Sequence, residues 1–191
     1  MKLIIASNNK HKISEIKSIL AGKFEEILSL SEAGINHETV EDGETFLENS
    51  LKKAREICAI SGAVALADDS GLCVNFLGGA PGVYSARYSG EGATAESNNR
   101  LLLKNLEDKA DRSGAFVCAI AYVSKDEEFT VRGEAHGTIL KEREGRGGFG
   151  YDPLFFSTDA NACFGALAPE EKNKYSHRRR AIEAFIKKWK G

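Results

Sequence analysis

Two adjacent carboxylates, Asp68 and Asp69, follow the apolar run Val64-Ala65-Leu66-Ala67 and precede Ser70-Gly71. Acids at the end of a buried strand are costly unless something compensates them. Strand neighbours point to opposite faces, so only one of the two can serve a given pocket, and strand ends are where α/β sheets bind ligands. An oxygen-preferring Mg2+ bridging a carboxylate and a phosphate would account for the acid. The plainer reading, an Asx turn, needs one aspartate and has no use for the second or for Ser-Gly.

A second group, Ser7-Asn8-Asn9-Lys10-His11-Lys12, lies between the apolar run Leu3–Ala6 and residues Ile13, Ile16, Ile19 and Leu20 at helical spacing. Free N–H groups and the dipole at a helix start favour an anion. Two lysines and two amides there would complete a phosphate cradle; the other reading is a capped helix with solvated lysines. A third group is Lys172-Asn173-Lys174-Tyr175-Ser176-His177-Arg178-Arg179-Arg180. Positive charge at a helix N-terminus is unfavourable, and an anionic ligand nearby would offset that. Gly145-Arg146-Gly147-Gly148-Phe149-Gly150 formally matches G-x-G-x-x-G. Tyr151-Asp152-Pro153 follows it instead of a helix, which excludes a dinucleotide site. Such a loop can instead offer the rings of Phe149 and Tyr151 to a flat ligand. The acidic segment Glu38, Glu41, Asp42, Glu44 reads by itself as a solvated face, and gains meaning only if Asp69 needs a second carboxylate for a metal. His37 and His136 receive no role. No phosphate-loop motif G-x-x-x-x-G-K-[ST] occurs.

The elements that must carry these groups follow from periodicity. Leu3–Ala6 reads as a buried strand and Ile13–Leu20 as part of a helix capped from Ser7-Asn8-Asn9. Thr45 and Glu48 have capping-box spacing ahead of Leu47, Leu51, Ala54, Ile57 and Cys58, a second helix. Val64–Ala67 is a strand expected to stop at Asp68, with strand character resuming over Leu72–Leu77. A helix is expected from about Thr94 to Leu106, then paired strands Ala115–Val123 and Glu128–Leu140 across Ser124-Lys125-Asp126. Leu154-Phe155-Phe156 is a short strand. The final helix, with Ala181, Ile182, Phe185, Ile186 and Trp189 on one face, opens at Ser176 and closes at Gly191. Interleaved strands and helices imply α/β with a mixed sheet. No stretch has linker composition, so any two-lobe division would share strands.

The chain's 191 residues suffice for one domain without metal or disulfide staples. Its 26 basic and 28 acidic side chains leave a net charge of -2, unlike the basic excess of a general nucleic-acid binder. No apolar stretch approaches the roughly 20 residues of a membrane span, and the opening apolar run is too short for a signal peptide. Cys58, Cys73, Cys118 and Cys163 show no metal-ligand spacing and read as buried reduced thiols. The expected location is cytoplasmic.

Taken in order, six segments resemble the inosine/xanthosine triphosphate pyrophosphatases. They are Ser7-x-Asn9-x-x-Lys12, Glu44-Thr45-Phe46-Leu47-Glu48-Asn49, Ala67–Leu72, Gly78–Arg87, Gly147–Pro153 and Ser176-His177-Arg178. The resemblance implies a single nucleoside-triphosphate pyrophosphatase domain over residues 1–191. Its fold would be a long central mixed β-sheet flanked by helices, in two lobes with a cleft between them. The implied activity is Mg2+-dependent hydrolysis of ITP, dITP and XTP to the monophosphate and pyrophosphate, by a homodimer. Carried over by residue, Ser7, Asn8, Asn9, Lys10, His11 and Lys12 would hold the triphosphate. Asp69 would be the catalytic proton acceptor and, with Glu41, a metal ligand. Ser70 would touch substrate, and Phe149, Gly150, Tyr151, Asp152, Lys172, His177 and Arg178 would line the base pocket. Lys53 would reach a phosphate. Donors from His177 or Arg178 would favour a 6-keto purine over adenine. The rivals are a Mg2+-dependent phosphatase or pyrophosphatase for other nucleotides, and a non-enzymatic nucleotide- or RNA-binding module using Lys172–Arg180.

Overall fold

The structure, a computed structural model, is described for residues 1–190. Its frame is one seven-stranded sheet built from β1 (Lys2–Ile5), β2 (Glu26–Ser29), β3 (Val64–Val74), β4 (Ser113–Val123), β5 (Glu128–Ile139), β6 (Phe155–Ser157) and β7 (Ala162–Cys163). The order is β2-β1-β3-β4-β5-β6-β7. β1 pairs parallel with β2 and β3, whereas β6 pairs antiparallel with β5 and β7, so the sheet is mixed as expected. Parallel neighbours need crossover connections. The helix α1 (Lys10–Ile19) lies in the first and α2 (Phe46–Ser61) in the second; α3 (Ala95–Asn105), α4 (Pro169–Tyr175) and α5 (His177–Lys188) follow. Among the described residues no helix is long and apolar enough to cross a membrane.

Helix starts obey local side-chain chemistry. Asn9 caps α1, its Oδ1 accepting the N–H groups of His11 at 3.0 Å and Lys12 at 3.2 Å. Thr45 and Glu48 close the expected capping box on α2, and Thr94 caps α3. The glycine expected to close the last helix, Gly191, lies outside the described residues, and α5 runs to Lys188.

The chain divides into two compact units: Met1–Asp69, Cys118–Gly133 and the chain from Arg178 form the first, Ser70–Val117 and Glu134–His177 the second. The boundaries fall inside β3, β4 and β5, so the strands are shared, as expected. In the first unit β1 is buried on both sides. Leu3 and Ile5 join Ile16, Leu20, Ile182 and Phe185, while Ile4 and Ala6 join Ala54 and Ile57. The second unit centres on Leu72, Leu102, Phe116, Phe155 and Phe164.

One expectation is corrected. β3 does not stop at Asp68 but runs unbroken through Asp68-Asp69-Ser70-Gly71 to Val74, and residues 75–77 form a 3-10 turn. Tertiary countercharges make the mid-strand acids tolerable. β2, β7 and α4 have no counterpart among the elements expected from periodicity. Gly71 is required by close approach rather than by a turn. A Cβ there would stand 2.5 Å from the Gly82 carbonyl oxygen and collide with Ser85 Oγ. That hydroxyl already accepts the Leu72 N–H at 2.9 Å and donates to Gly82 O at 2.6 Å. Gly71→Ala is expected to destabilise by about 1–3 kcal/mol through overpacking. Thermal melts should show it as a fall of about 2–4 °C per kcal/mol, and an unchanged Tm would mean the 82–85 segment yields freely.

Candidate active site

Within the first unit, β3 presents its two acids to different neighbours. Asp68 is fully buried. Its Oδ2 accepts from Arg178 Nε and Nη2, each at 3.2 Å, and lies 3.3 Å from Lys12 Nζ. Arg178, itself 1% exposed, donates its remaining nitrogen, Nη1, to Glu15 of α1. Asp69, 5% exposed, accepts at Oδ2 from Asn49 Nδ2 at 3.1 Å. Asn49 and Lys53 lie four apart on one face of α2. Lys53 Nζ donates to Glu41 Oε1 at 2.5 Å and to the Asp68 carbonyl oxygen at 2.7 Å.

The acids differ in proton affinity. Burial works to raise Asp68, but the charges of Lys12, Arg178 and Lys53 outweigh it and hold the carboxyl well below the usual carboxylate range. For Asp69 burial prevails: Lys53 and Lys12 pull it down, Glu41 pushes it up, and it stays above its ordinary value. Two carboxylates driven apart by their surroundings take different roles. Asp68 remains a fixed charge, and Asp69 is the better proton acceptor. Burial first, then the charge of Asp68, pushes the neighbouring Cys118 thiol up to about 12, which makes it an inert space-filler. None of the four cysteines is in a disulfide, but Cys58 and Cys73 are only half-buried.

Of the residues expected to hold phosphate, the structure brings Lys12 to Asp68. Lys10 and His11 stay exposed. Ser7 Oγ accepts the Asn9 N–H at 3.2 Å, and Asn8 Nδ2 donates to the His37 carbonyl at 3.4 Å. Asn9 is engaged as the cap, so its side chain also organises the helix start.

In the second unit the glycine loop is tied down by Asp152. Its Oδ2 accepts the Phe149 N–H at 2.8 Å and Lys172 Nζ at 2.6 Å. The same ammonium stands 4.6 Å from the half-buried Phe149 ring centroid. Gly148, at φ +71, allows this: a Cβ there would collide with Asp152 Oδ2. Asn99 Nδ2 donates to the Gly150 carbonyl at 3.1 Å. The Tyr151 hydroxyl donates to the Ser85 carbonyl at 2.7 Å, and its ring joins the core. His177 stacks on Phe116, centroids 4.8 Å apart and planes within 14°. Ser70 is half-buried on β3. Arg178, expected beside His177 on a base edge, has its guanidinium committed to Asp68 and Glu15 in the first unit.

Glu15 and Asn99 are absent from the residues that the sequence singles out, and Asn49 enters there only as the end of a resembling segment, with no role of its own. Asn49 carries a usable signal in its i, i+4 spacing to Lys53. Glu15 is one acid on an amphipathic helix and Asn99 one amide on another; neither carries a local signal.

The residues present fit Mg2+. Glu41 and Asp69 are hard oxygen donors, and the charge of Glu41 opposes the ionisation of Asp69, a repulsion that a bound cation would relieve. Among the described residues no three His, Cys, Asp or Glu side chains form a closed metal cluster. Mg2+ needs only one or two carboxylates, with substrate phosphates and water completing its shell.

These features place the chain among mixed-sheet α/β proteins whose charged residues sit in mid-strand rather than at strand ends. The Ham1 family model matches residues 3–188, and the chain belongs to that family. It is 47% identical over 199 residues to a dITP/XTP pyrophosphatase of Clostridium perfringens, covering 100% of this chain and 98% of that protein. A dITP/XTP pyrophosphatase of Geobacter sulfurreducens is 49% identical over 196 residues, with the same coverage. The structure of a HAM1 protein from Coxiella burnetii superposes with a TM-score of 0.89 at 36% identity, covering 98% of this chain and 97% of that one.

Proposed function

We propose that this chain is a hydrolase of non-standard purine nucleoside triphosphates, converting ITP, dITP and XTP to the monophosphate and pyrophosphate. It would act as a single catalytic domain, in the cytoplasm, as a homodimer, with neither nucleic acid nor membrane as partner. The observation that carries the mechanism is Asp69, held in mid-strand by Asn49 and set among Lys53, Lys12 and Glu41. It accepts the proton of the water that attacks the α-phosphorus, so the bond to the pyrophosphate leaving group breaks. Lys12 and Lys53 neutralise phosphate oxygens, with Ser7, Asn8, Asn9, Lys10 and His11 at the α1 start completing the cradle. Glu41 and Asp69 would hold Mg2+, which when bound supplies further neutralisation of the charge that builds on those oxygens. Arg178 keeps Asp68 charged and in place.

Base recognition belongs to the second unit. Phe149 stacks on the ring, Asp152 and Lys172 hold the loop, and Ser70, Gly150 and Tyr151 shape its surroundings. His177 donates toward the 6-keto oxygen; adenine offers a 6-amino donor there and leaves the histidine unanswered. The test is a panel of nucleoside triphosphates with Mg2+, with pyrophosphate and orthophosphate measured separately. ITP and XTP, ribo or deoxy, should be cleaved about 10²-fold or more faster than ATP or GTP. His177→Ala should narrow the gap by slowing the good substrates. Orthophosphate as the product, or equal rates on ATP and ITP, would overturn the reading.

A further inference from the structure

Residues 35–44 have no regular secondary structure, yet their burial alternates. Ile35, His37, Thr39, Glu41 and Gly43 are half-buried, and Asn36, Glu38, Val40, Asp42 and Glu44 are exposed. This is the two-residue period of an extended chain laid on a surface. The surface is α2. His37 Nε2 and Thr39 Oγ1 both meet Glu56 Oε2, at 2.7 and 2.6 Å. Lys52 Nζ donates to the Val40 carbonyl at 2.8 Å and to Asp42 Oδ1 at 2.7 Å. Lys53 meets Glu41, and the Gly43 N–H donates to Asn49 Oδ1 at 2.8 Å. The partners step back along α2, from Glu56 through Lys53 and Lys52 to Asn49, as the segment advances. They recur at helical spacing, so one face of the helix reads the whole segment.

No sheet ladder restrains this backbone, so these side-chain anchors are what order it against the entropy of a free loop. Glu41 sits in their midst. His37 and Thr39 are anchored on one side of it, and the residues immediately before and after it are both held by Lys52.

We infer that Glu56 and Lys52 are positioning residues: they strap residues 36–44 onto α2, fix the carboxylate of Glu41, and thereby set the affinity for a divalent cation rather than the rate of the chemical step. The inference rests on the proposed role of Glu41 as a metal ligand. Glu56 and Lys52 lie outside the group that touches substrate, and both are only half-buried, so their variants should fold.

The experiment measures Mn2+ binding to the full chain by the paramagnetic resonance signal of free Mn2+, alongside the Mg2+ dependence of pyrophosphate release. Glu56→Ala and Lys52→Met should each weaken Mn2+ binding about 10-fold, as loss of an outer partner of a ligand typically does. The half-saturating Mg2+ concentration should rise in parallel, while kcat at saturating Mg2+ stays within about twofold. Amide exchange across residues 36–44 should quicken in both variants. Glu56→Gln keeps an acceptor oxygen for Thr39 and should restore most of the affinity. Unchanged Mn2+ affinity in both variants, with Glu41→Gln weakened, would overturn the strap and leave Glu41 as a ligand. If Glu41→Gln binds Mn2+ as tightly as the parent, or the parent does not bind it, the ligand role falls and the strap with it.

Discussion

Asp69→Asn is expected to slow pyrophosphate release by about 10³-fold, the scale of a lost general base, while Tm holds or rises. The substitution is isosteric, and the new Oδ1 still accepts from Asn49 Nδ2. What disappears is the negative charge that takes the proton. The stability expectation follows from linkage. Folding raises the proton affinity of Asp69, so above its folded pKa the ionised side chain works against the native state. A neutral side chain removes that penalty. Asp68→Asn should show the reverse profile, because folding lowers the proton affinity of Asp68. Its charge therefore stabilises the native state above its unfolded pKa. Neutralising it leaves the buried Arg178 with less countercharge, at a cost of about 3–5 kcal/mol. Steady-state kinetics and melts on both variants decide the matter. Similar losses of rate and similar Tm changes in the two would sink the division of roles.

Lys172→Met should destabilise by about 3–5 kcal/mol, because it strands the carboxylate of Asp152 in the interior. Both side chains of that pair are almost wholly buried, 4% exposed for Lys172 and 3% for Asp152. Asp152 also accepts the Phe149 N–H, so its displacement would loosen the loop and weaken nucleotide binding along with stability. The decisive comparison is with the double variant Lys172→Met/Asp152→Asn, in which no unpaired charge remains. It should melt above either single variant. Additive losses would show that the ammonium and carboxylate act independently.

What can be read in the sequence is mostly what is encoded locally. The caps at Asn9 and Thr45 satisfy N–H groups within three residues of themselves, so their chemistry is visible without a fold. The apolar runs at Leu3, Val64 and Ala115 form strands because no polar group interrupts them. Legibility fails where distant partners decide. Asp68 and Asp69 read as the end of a strand because nothing nearby in sequence offsets them; Lys12, Lys53 and Arg178 do so across the fold. Lys53 and Asn49 lie on the buried face of α2, where periodicity alone would place apolar residues. β2 is short, and its pairing with β1 defines it more than its composition does. His37 reads in the sequence as a lone histidine, although it is one end of the strap that holds Glu41.

The division into two units carries a consequence for how this molecule can be cut or inherited. The chain passes between them at 69/70, 117/118, 133/134 and 177/178. Neither half is a contiguous stretch of polypeptide, so no single truncation releases one, and no single recombination event could transplant one into another gene. A deletion meant to isolate the second unit would cut through three strands. The two units are therefore inherited together, as one length of chain.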